Sequence, residues 1–317
     1  MARLFVAIFL LQCAVAHSQT FPSKSLRIIV PYAPGGLLDL TARQIAASLP
    51  ENLGQTVVVE NRTGAASAVA IDALKQAPAD GHNILLDNSG LIITPILNPK
   101  ASFKMQRDLE VVSIVTGSTS LLAVNAALPA RDLKELVALA RARPGTLNYS
   151  SAGVGTILHM SGEMLKALAK IDLVHVPYKG GSAAMTDVVS GQIHMIFLGP
   201  SILAPFLKDG RVRAIASTGT RRIAAYPDVP TIAESSYPDY DIVSWIGLFV
   251  LKSTPPEIVA RLAQGVRAIL ERPEFRATLV KSNLDAIGAT GDEARRLLDL
   301  EERRWTEVIR ANKLKVD

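Results

Sequence analysis

Two short glycine-bearing stretches carry most of the chemistry this chain offers. Pro34-Gly35-Gly36 follows the apolar run Leu26 to Val30, and Gly153-Val154-Gly155 follows Leu147 to Ser150. Each is succeeded by apolar residues at helical spacing. A strand, a glycine-rich turn and a helix in that order aim the helix's unpaired first-turn N–H groups into the crevice beyond the strand's carboxyl end. Glycine there lets an anion approach the backbone. The chemistry is capture of an anion. Asp39 stands in the first turn of one helix, where the dipole favours a carboxylate, and the hydroxyls of Ser151 and Thr156 flank the other turn. Taken alone, Gly35-Gly36 also serves as a plain tight turn.

Sharper chemistries fail on spacing. A dinucleotide fingerprint would need glycine at 158, where the chain has Leu158, and no Gly-Lys pair builds a phosphate-binding loop. There is no G-x-S-x-G elbow and no S-x-x-K, and the only cysteine is Cys13. Of His82, His159, His175 and His194, only His159 forms a helical pair with a carboxylate, Glu163; two ligands do not make a zinc site. No metal or cofactor is expected, and His159 is expected to cap or hydrogen-bond near the crevice. Two more strand ends are candidates: Asn88-Ser89-Gly90, and Tyr178 within His175 to Gly181, each also explicable as a polar or Pro/Gly turn.

The elements that must position these residues follow from periodicity. Strands are predicted at Leu26 to Val30, Thr56 to Glu60 and Asn83 to Asp87, with helices from Gly36 to Leu49 and from Ala65 to Gln76. Such alternation argues for a parallel sheet covered on both faces, a three-layer α/β domain. VVSIV and LLAVN, around Gly117-Ser118-Thr119, break the pattern and mark a crossing into a second region that repeats it from helix Asp132 to Arg143 through strand Val212 to Ser217. A Pro-rich segment from Tyr226 to Pro238 leads to the strand Ile242 to Val250, a return to the first domain. The expected division is 1–20 as a signal peptide, 21–120 with 245–317 as one discontinuous lobe, and 121–244 as the other. The final helix, Glu293 to Arg310, carries one apolar stripe including Leu297 and a solvated face with Glu301, Glu302, Arg303 and Arg304.

Arg3, the apolar run Leu4 to Leu11 and Ala14-Val15-Ala16 have the form of a secretory leader, too short to span a membrane. Gln12 before Cys13 argues against lipid attachment. The mature chain then holds no cysteine, and its core must stabilise it without disulfides. A net charge of +5 is spread over dispersed basic residues and aromatics are only 5%, so nucleic acid is not an expected partner.

Together FPSKSLRIIVPYAPGG, GQTVVVENRTGA, ARPGTLNYSSAGVGT, VHVPYKGG, YPDVPTIAE and SWIGLFV resemble the Bug proteins, extracytoplasmic solute receptors of the tripartite tricarboxylate transporter family. The resemblance runs from Phe21 to about Ile309. It implies a two-lobed type II periplasmic-binding-protein fold, each lobe a three-layer α/β domain with a mainly parallel sheet. It implies a receptor that closes on a small carboxylate outside the cytoplasm and delivers it to membrane transport subunits; a periplasmic monomer is expected. The ligand-binding positions it implies are Tyr32, Ala33, Pro34, Gly35, Gly36, Leu37, Leu38 and Asp39, then Ser151, Ala152, Gly153, Gly155, Thr156 and His159. Asn88, Ser89 and Tyr178 join them from strand ends, and Phe197-Leu198 stands where some members carry Phe-Asp. With leucine there, a ligand amino group lacks a carboxylate, so amino acids are disfavoured. Leu37 and Leu38, replacing the family's Gly and Thr, favour a carboxylate with an apolar or aromatic body. An exported α/β hydrolase or transferase acting on a small carboxylate is the alternative reading.

Overall fold

The computed structural model describes residues 21–178 and 180–314; the expected signal peptide lies outside them. In chain order the main elements are β1 (Leu26–Val30), α1 (Leu37–Ser48), β2 (Val57–Asn61), α2 (Ala68–Lys75), β3 (Asn83–Asn88), α3 (Gly90–Leu97), β4 (Leu109–Ser118) and β5 (Leu121–Asn125). There follow α4 (Leu133–Ala142), β6 (Asn148–Ser151), α5 (Ile157–Ala169), β7 (Val174–Pro177), α6 (Met185–Ser190), β8 (Met195–Leu198), α7 (Pro200–Lys208) and β9 (Val212–Ser217). The chain closes with β10 (Ser244–Leu251), α8 (Pro256–Leu270), α9 (Pro273–Lys281), β11 (Asp285–Ala289) and α10 (Gly291–Ala311).

The strands form two sheets, ordered β11-β4-β10-β3-β1-β2 and β7-β6-β8-β5-β9. β1 shows why its run is apolar without alternation: Ile29 joins one core cluster while Leu26, Ile28 and Val30 join another, so both faces are covered. The sheets are mixed rather than mainly parallel in their pairings. β1 pairs parallel with β2 and β3, and β6 with β7 and β8, whereas β10 lies antiparallel between β3 and β4, and β5 antiparallel between β8 and β9. The two inserted strands are those that arrive from the other sheet. A strand entering directly, with no crossover helix to reverse it, runs against its new neighbours. Because β10 is antiparallel to both β3 and β4, strands β1 to β4 share one direction, and their carboxyl ends lie along one edge.

Each lobe has a core cluster of its own, around Ile28, Leu86 and Leu262 in the first and Val188, Ile196 and Leu203 in the second, and a third cluster is shared. The largest apolar cluster runs from Ile29, Leu85 and Phe249 in the first lobe to Leu122, Tyr149 and Phe197 in the second. α10 joins them with Ala294, Leu298, Trp305, Val308 and Ile309. At this seam Asn312 Nδ2 donates to the Glu163 carbonyl at 2.7 Å. Two positions on α10 depart from the sequence expectation. Leu297 is exposed, while Glu301 lies three residues from Leu298 and seven from Ala294, which puts it on the buried face. There its carboxylate accepts Trp305 Nε1–H at 2.8 Å and pairs with Arg304.

Candidate functional site

The two helix N-termini are built on one plan. In α1 the N-cap is Gly36, and the residue before it, Gly35, sits at φ +83°, in the left-handed region that favours glycine. Asp39, third in the helix, reaches back so that its Oδ2 accepts the Gly35 N–H at 2.9 Å. In α5 the N-cap is Thr156, Gly155 before it has φ +78°, and the third helical residue, His159, accepts the Gly155 N–H on Nδ1 at 3.1 Å. Gly35 and Gly155, Gly36 and Thr156, and Asp39 and His159 are therefore equivalent positions. The tie consumes the N–H of each preceding glycine. It leaves those of Gly36, Leu37 and Leu38, and of Ile157 and Leu158, at the head of their helices without an intrahelical acceptor.

Asp39 is buried, and its carboxylate is fully engaged. Arg43 Nε donates to Oδ2 at 2.9 Å, and Asn61 Nδ2 donates to Oδ1 at 2.9 Å and also to the Tyr32 carbonyl. The bond from Arg43, with those from Gly35 and Asn61, holds the carboxyl down at about 2 against the cost of burial. Asp39 braces the loop, and both of its oxygens are hydrogen-bonded within it. Of the neighbouring leucines, Leu37 is exposed, whereas Leu38 packs on the lobe's core. Ala33 and Pro34 are exposed on the same turn, as is Tyr32, which hydrogen-bonds weakly to Asn88 Oδ1 at 3.4 Å. Asn88 Oδ1 also takes the Gly90 N–H at 2.8 Å, while Ser89 is buried with its hydroxyl unpartnered. Beneath them lies Asp87, fully buried and pushed up to about 7 by desolvation.

In the second lobe the hydroxyls expected to face a ligand belong to the loop itself. Ser151 is buried, its Oγ sharing a 2.7 Å hydrogen bond with His175 Nε2 and accepting the Gly153 N–H. Thr156 Oγ1 donates to the Gly153 carbonyl at 2.8 Å and accepts the His159 N–H. Ala152 and Gly153 are half-buried and Val154 is exposed at the tip. Behind the loop His159 stacks on His175, ring centroids 4.0 Å apart, and His175 lies against Tyr149, whose hydroxyl donates to Glu163 at 2.7 Å. Accepting at Nδ1 requires His159 to be neutral and to carry its proton on Nε2, 3.8 Å from Glu163 Oε1. Burial, aided by Lys166, pushes its pKa down to about 4, and burial beside His159 does the same for His175. Tyr178 joins by its backbone, its N–H donating to the Ser151 carbonyl at 3.1 Å, while its hydroxyl is held by Asp187. Phe197 and Leu198 are buried in the core under the loops.

Sequence reading missed Asn61, Arg43 and His175, which hold the loops from outside them. Asn61 and His175 lie at or near strand ends, the one signal that marks them, but neither partner is near in sequence. Across the seam the lobes approach closely: a Cβ built on Gly155 would stand 3.2 Å from Leu97 Cδ1 of α3.

Two α/β lobes, each presenting a braced, donor-rich helix terminus at strand ends, define a solute receptor of the periplasmic-binding-protein class rather than an enzyme. The chain belongs to the tripartite tricarboxylate transporter receptor family, whose description matches residues 41–314. It is 30% identical over 310 residues to BugT of Bordetella pertussis, covering 96% of this chain and 95% of that one. Among solved structures it is similar to an R. palustris protein with adipate (28% identity, TM-score 0.78, covering 93% of this chain and 99% of that one). It is also similar to MatC from Rhodopseudomonas palustris with bound malate (29%, TM-score 0.74, 91% and 100%).

Proposed function

We propose that this chain is a periplasmic receptor that closes two lobes, 21–120 with 245–317 and 121–244, on a small carboxylate and passes it, as a monomer, to membrane transport subunits. Residues 1–20 are its export signal. The observation that carries the reading is the repeated plan of the two helix termini. In each, a tied-back glycine fixes the turn and leaves a cluster of N–H groups with the positive end of the helix dipole, the arrangement a carboxylate needs. The N–H groups of Gly36, Leu37 and Leu38 on one side, and of Ile157 and Leu158 on the other, bind the anion, with Tyr32 and Asn88 at the wall. Asp39, Ser151, Thr156 and His159 act by holding the loops in shape.

The body of the ligand is apolar. Tyr32 and Leu37 on the first loop and Val154 on the second are exposed large side chains, and a ligand would cover them. Burying ~60 Å² of ligand carbon there contributes about 1.5 kcal/mol, roughly tenfold in affinity. The similar proteins with adipate and malate, both dicarboxylates, support an acid ligand. A calorimetric panel of aromatic monocarboxylates, aliphatic dicarboxylates, citrate and neutral amino acids tests the reading. The apolar acids are expected to bind most tightly; a preference for citrate or for a zwitterionic amino acid would overturn the ligand class.

A further inference from the structure

Two carboxylates lie buried around the first glycine-bearing loop, and only one of them is neutralised. Asp39 is paired with Arg43 and takes donors on both oxygens. Asp87, the penultimate residue of β3, is fully buried, and no Lys, Arg or His among the described residues acts on its carboxyl. Its Oδ1 accepts the Asn88 N–H at 2.8 Å, while its Oδ2 has no partner.

What packs against Asp87 is uncharged. On β10 its paired neighbour is Gly247, which has no side chain to offer. From the turn before α2 the Ser67 hydroxyl bears on it, and from the end of β1 the titratable group coupled to it is Tyr32. Ser89, two residues along, is buried with a hydroxyl that also lacks a partner. A carboxylate in such a site finds little to offset its lost hydration, and the unpartnered oxygen is where a proton is held. The carboxyl is accordingly pushed up to about 7. Tyr32 begins the loop that carries Gly35 and Gly36, and its hydroxyl is pushed up in part by the charge of Asp87, so that charge reaches the loop. Because Arg43 is committed to Asp39, a ligand carboxylate at the head of α1 adds like charge beside Asp87, and each then favours protonation of the other.

We propose that the cleft takes its acid together with a proton, which passes from solvent to Asp87 Oδ2 as the ligand carboxylate settles at α1; this rests on the receptor reading above. Neutral Asp87 admits the anion and ionised Asp87 opposes it, so affinity is highest below about pH 7 and falls as the pH rises through that value. His159 and His175, pushed down to about 4, stay neutral over this range, and His82 and His194 precede β3 and β8, at the strand ends away from the loops.

Calorimetry with benzoate and adipate as probes, between about pH 6 and about pH 8.5, tests the linkage. A rise of about one pKa unit on binding makes the acid bind roughly sevenfold more weakly at the upper pH than at the lower. The same rise takes up about 0.5 proton per ligand near pH 7.5, read from the dependence of the binding heat on the buffer. Asp87→Asn, neutral throughout, should bind with one affinity across the range and take up no proton. A wild-type affinity that is flat with pH, an unchanged slope in Asp87→Asn, or a carbon-13 titration of the free protein in which the Asp87 carboxyl ionises near an ordinary value of about 4 would overturn the linkage and leave the receptor reading standing. No binding of either acid at any pH would overturn the ligand class and the linkage together.

Discussion

Acidification should loosen the glycine-bearing loop before α5 through one imidazole, and the size of the effect follows from its burial. His159 holds the Gly155 N–H only while Nδ1 is unprotonated; protonation sets two donors against each other at 3.1 Å. Burial, aided by Lys166, leaves its pKa at about 4 against an ordinary 6.5. The unfolded chain therefore takes up the proton first. Stability is complete above pH 6.5, falls as the pH drops below that value, and stops falling below about 4. Between pH 7 and pH 5 the loss from His159 is about 2 kcal/mol, and about 3 kcal/mol in all. Asp87 works in the opposite sense over the same range, because its carboxyl is raised to about 7 and its burial costs more as it ionises. Total stability against pH would hide both effects. The clean assay is urea unfolding of the wild type and of His159→Asn, whose Oδ1 can stand where Nδ1 does, at matched pH. The wild type should lose about 2 kcal/mol more than the variant on going from pH 7 to pH 5. Parallel curves, or an NMR titration of His159 near 6.5, would refute the reasoning.

Three further outcomes follow from the same geometry. Asp39→Ala frees the Gly35 N–H, Arg43 and Asn61 together, so it should cost about 3 kcal/mol in unfolding free energy and abolish calorimetric binding of any acid the wild type takes. Gly155→Val places a branched side chain at φ +78° and against Leu97; a strain of about 1–2 kcal/mol and at least tenfold weaker ligand binding are expected, read by thermal unfolding and calorimetry. Asp87→Asn should stabilise the protein more at pH 8 than at pH 5, since the wild-type carboxylate is forced to ionise in a dry site only at the higher pH; equal effects at both would show that Asp87 is not desolvated.

How the lobes move is constrained by what joins them. With one apolar cluster running through both, closure is expected to combine sliding at the seam of α10 and α5 with bending near the two crossings, Ser120 and Ser244. Trp245, buried on β10 beside Phe249, sits where the returning strand enters the first sheet and should report that motion by its fluorescence.

The sequence by itself determined whatever depends on near neighbours. β1 is apolar at every buried position, and the glycines before α1 and α5 are required by a left-handed turn. The braces Asp39 to Gly35 and His159 to Gly155 span only four residues, so the strand, turn and helix units were readable. Tertiary structure decided the rest. α3, GLIITPIL, shows no polar face because the chain around it covers most of its surface, so helical periodicity is silent there. Residues 65–67 leave the expected helix because Ala65, Ala66 and Ser67 take positive φ in the packed turn. Which hydroxyls are free was also a matter of the fold: Ser151 is taken by His175, and Tyr178 by Asp187, once β6, β7 and α6 are brought together. Local pattern records which side of a segment avoids water. The partner that covers it, and so whether a polar group there is spent or free, comes from residues tens of positions away.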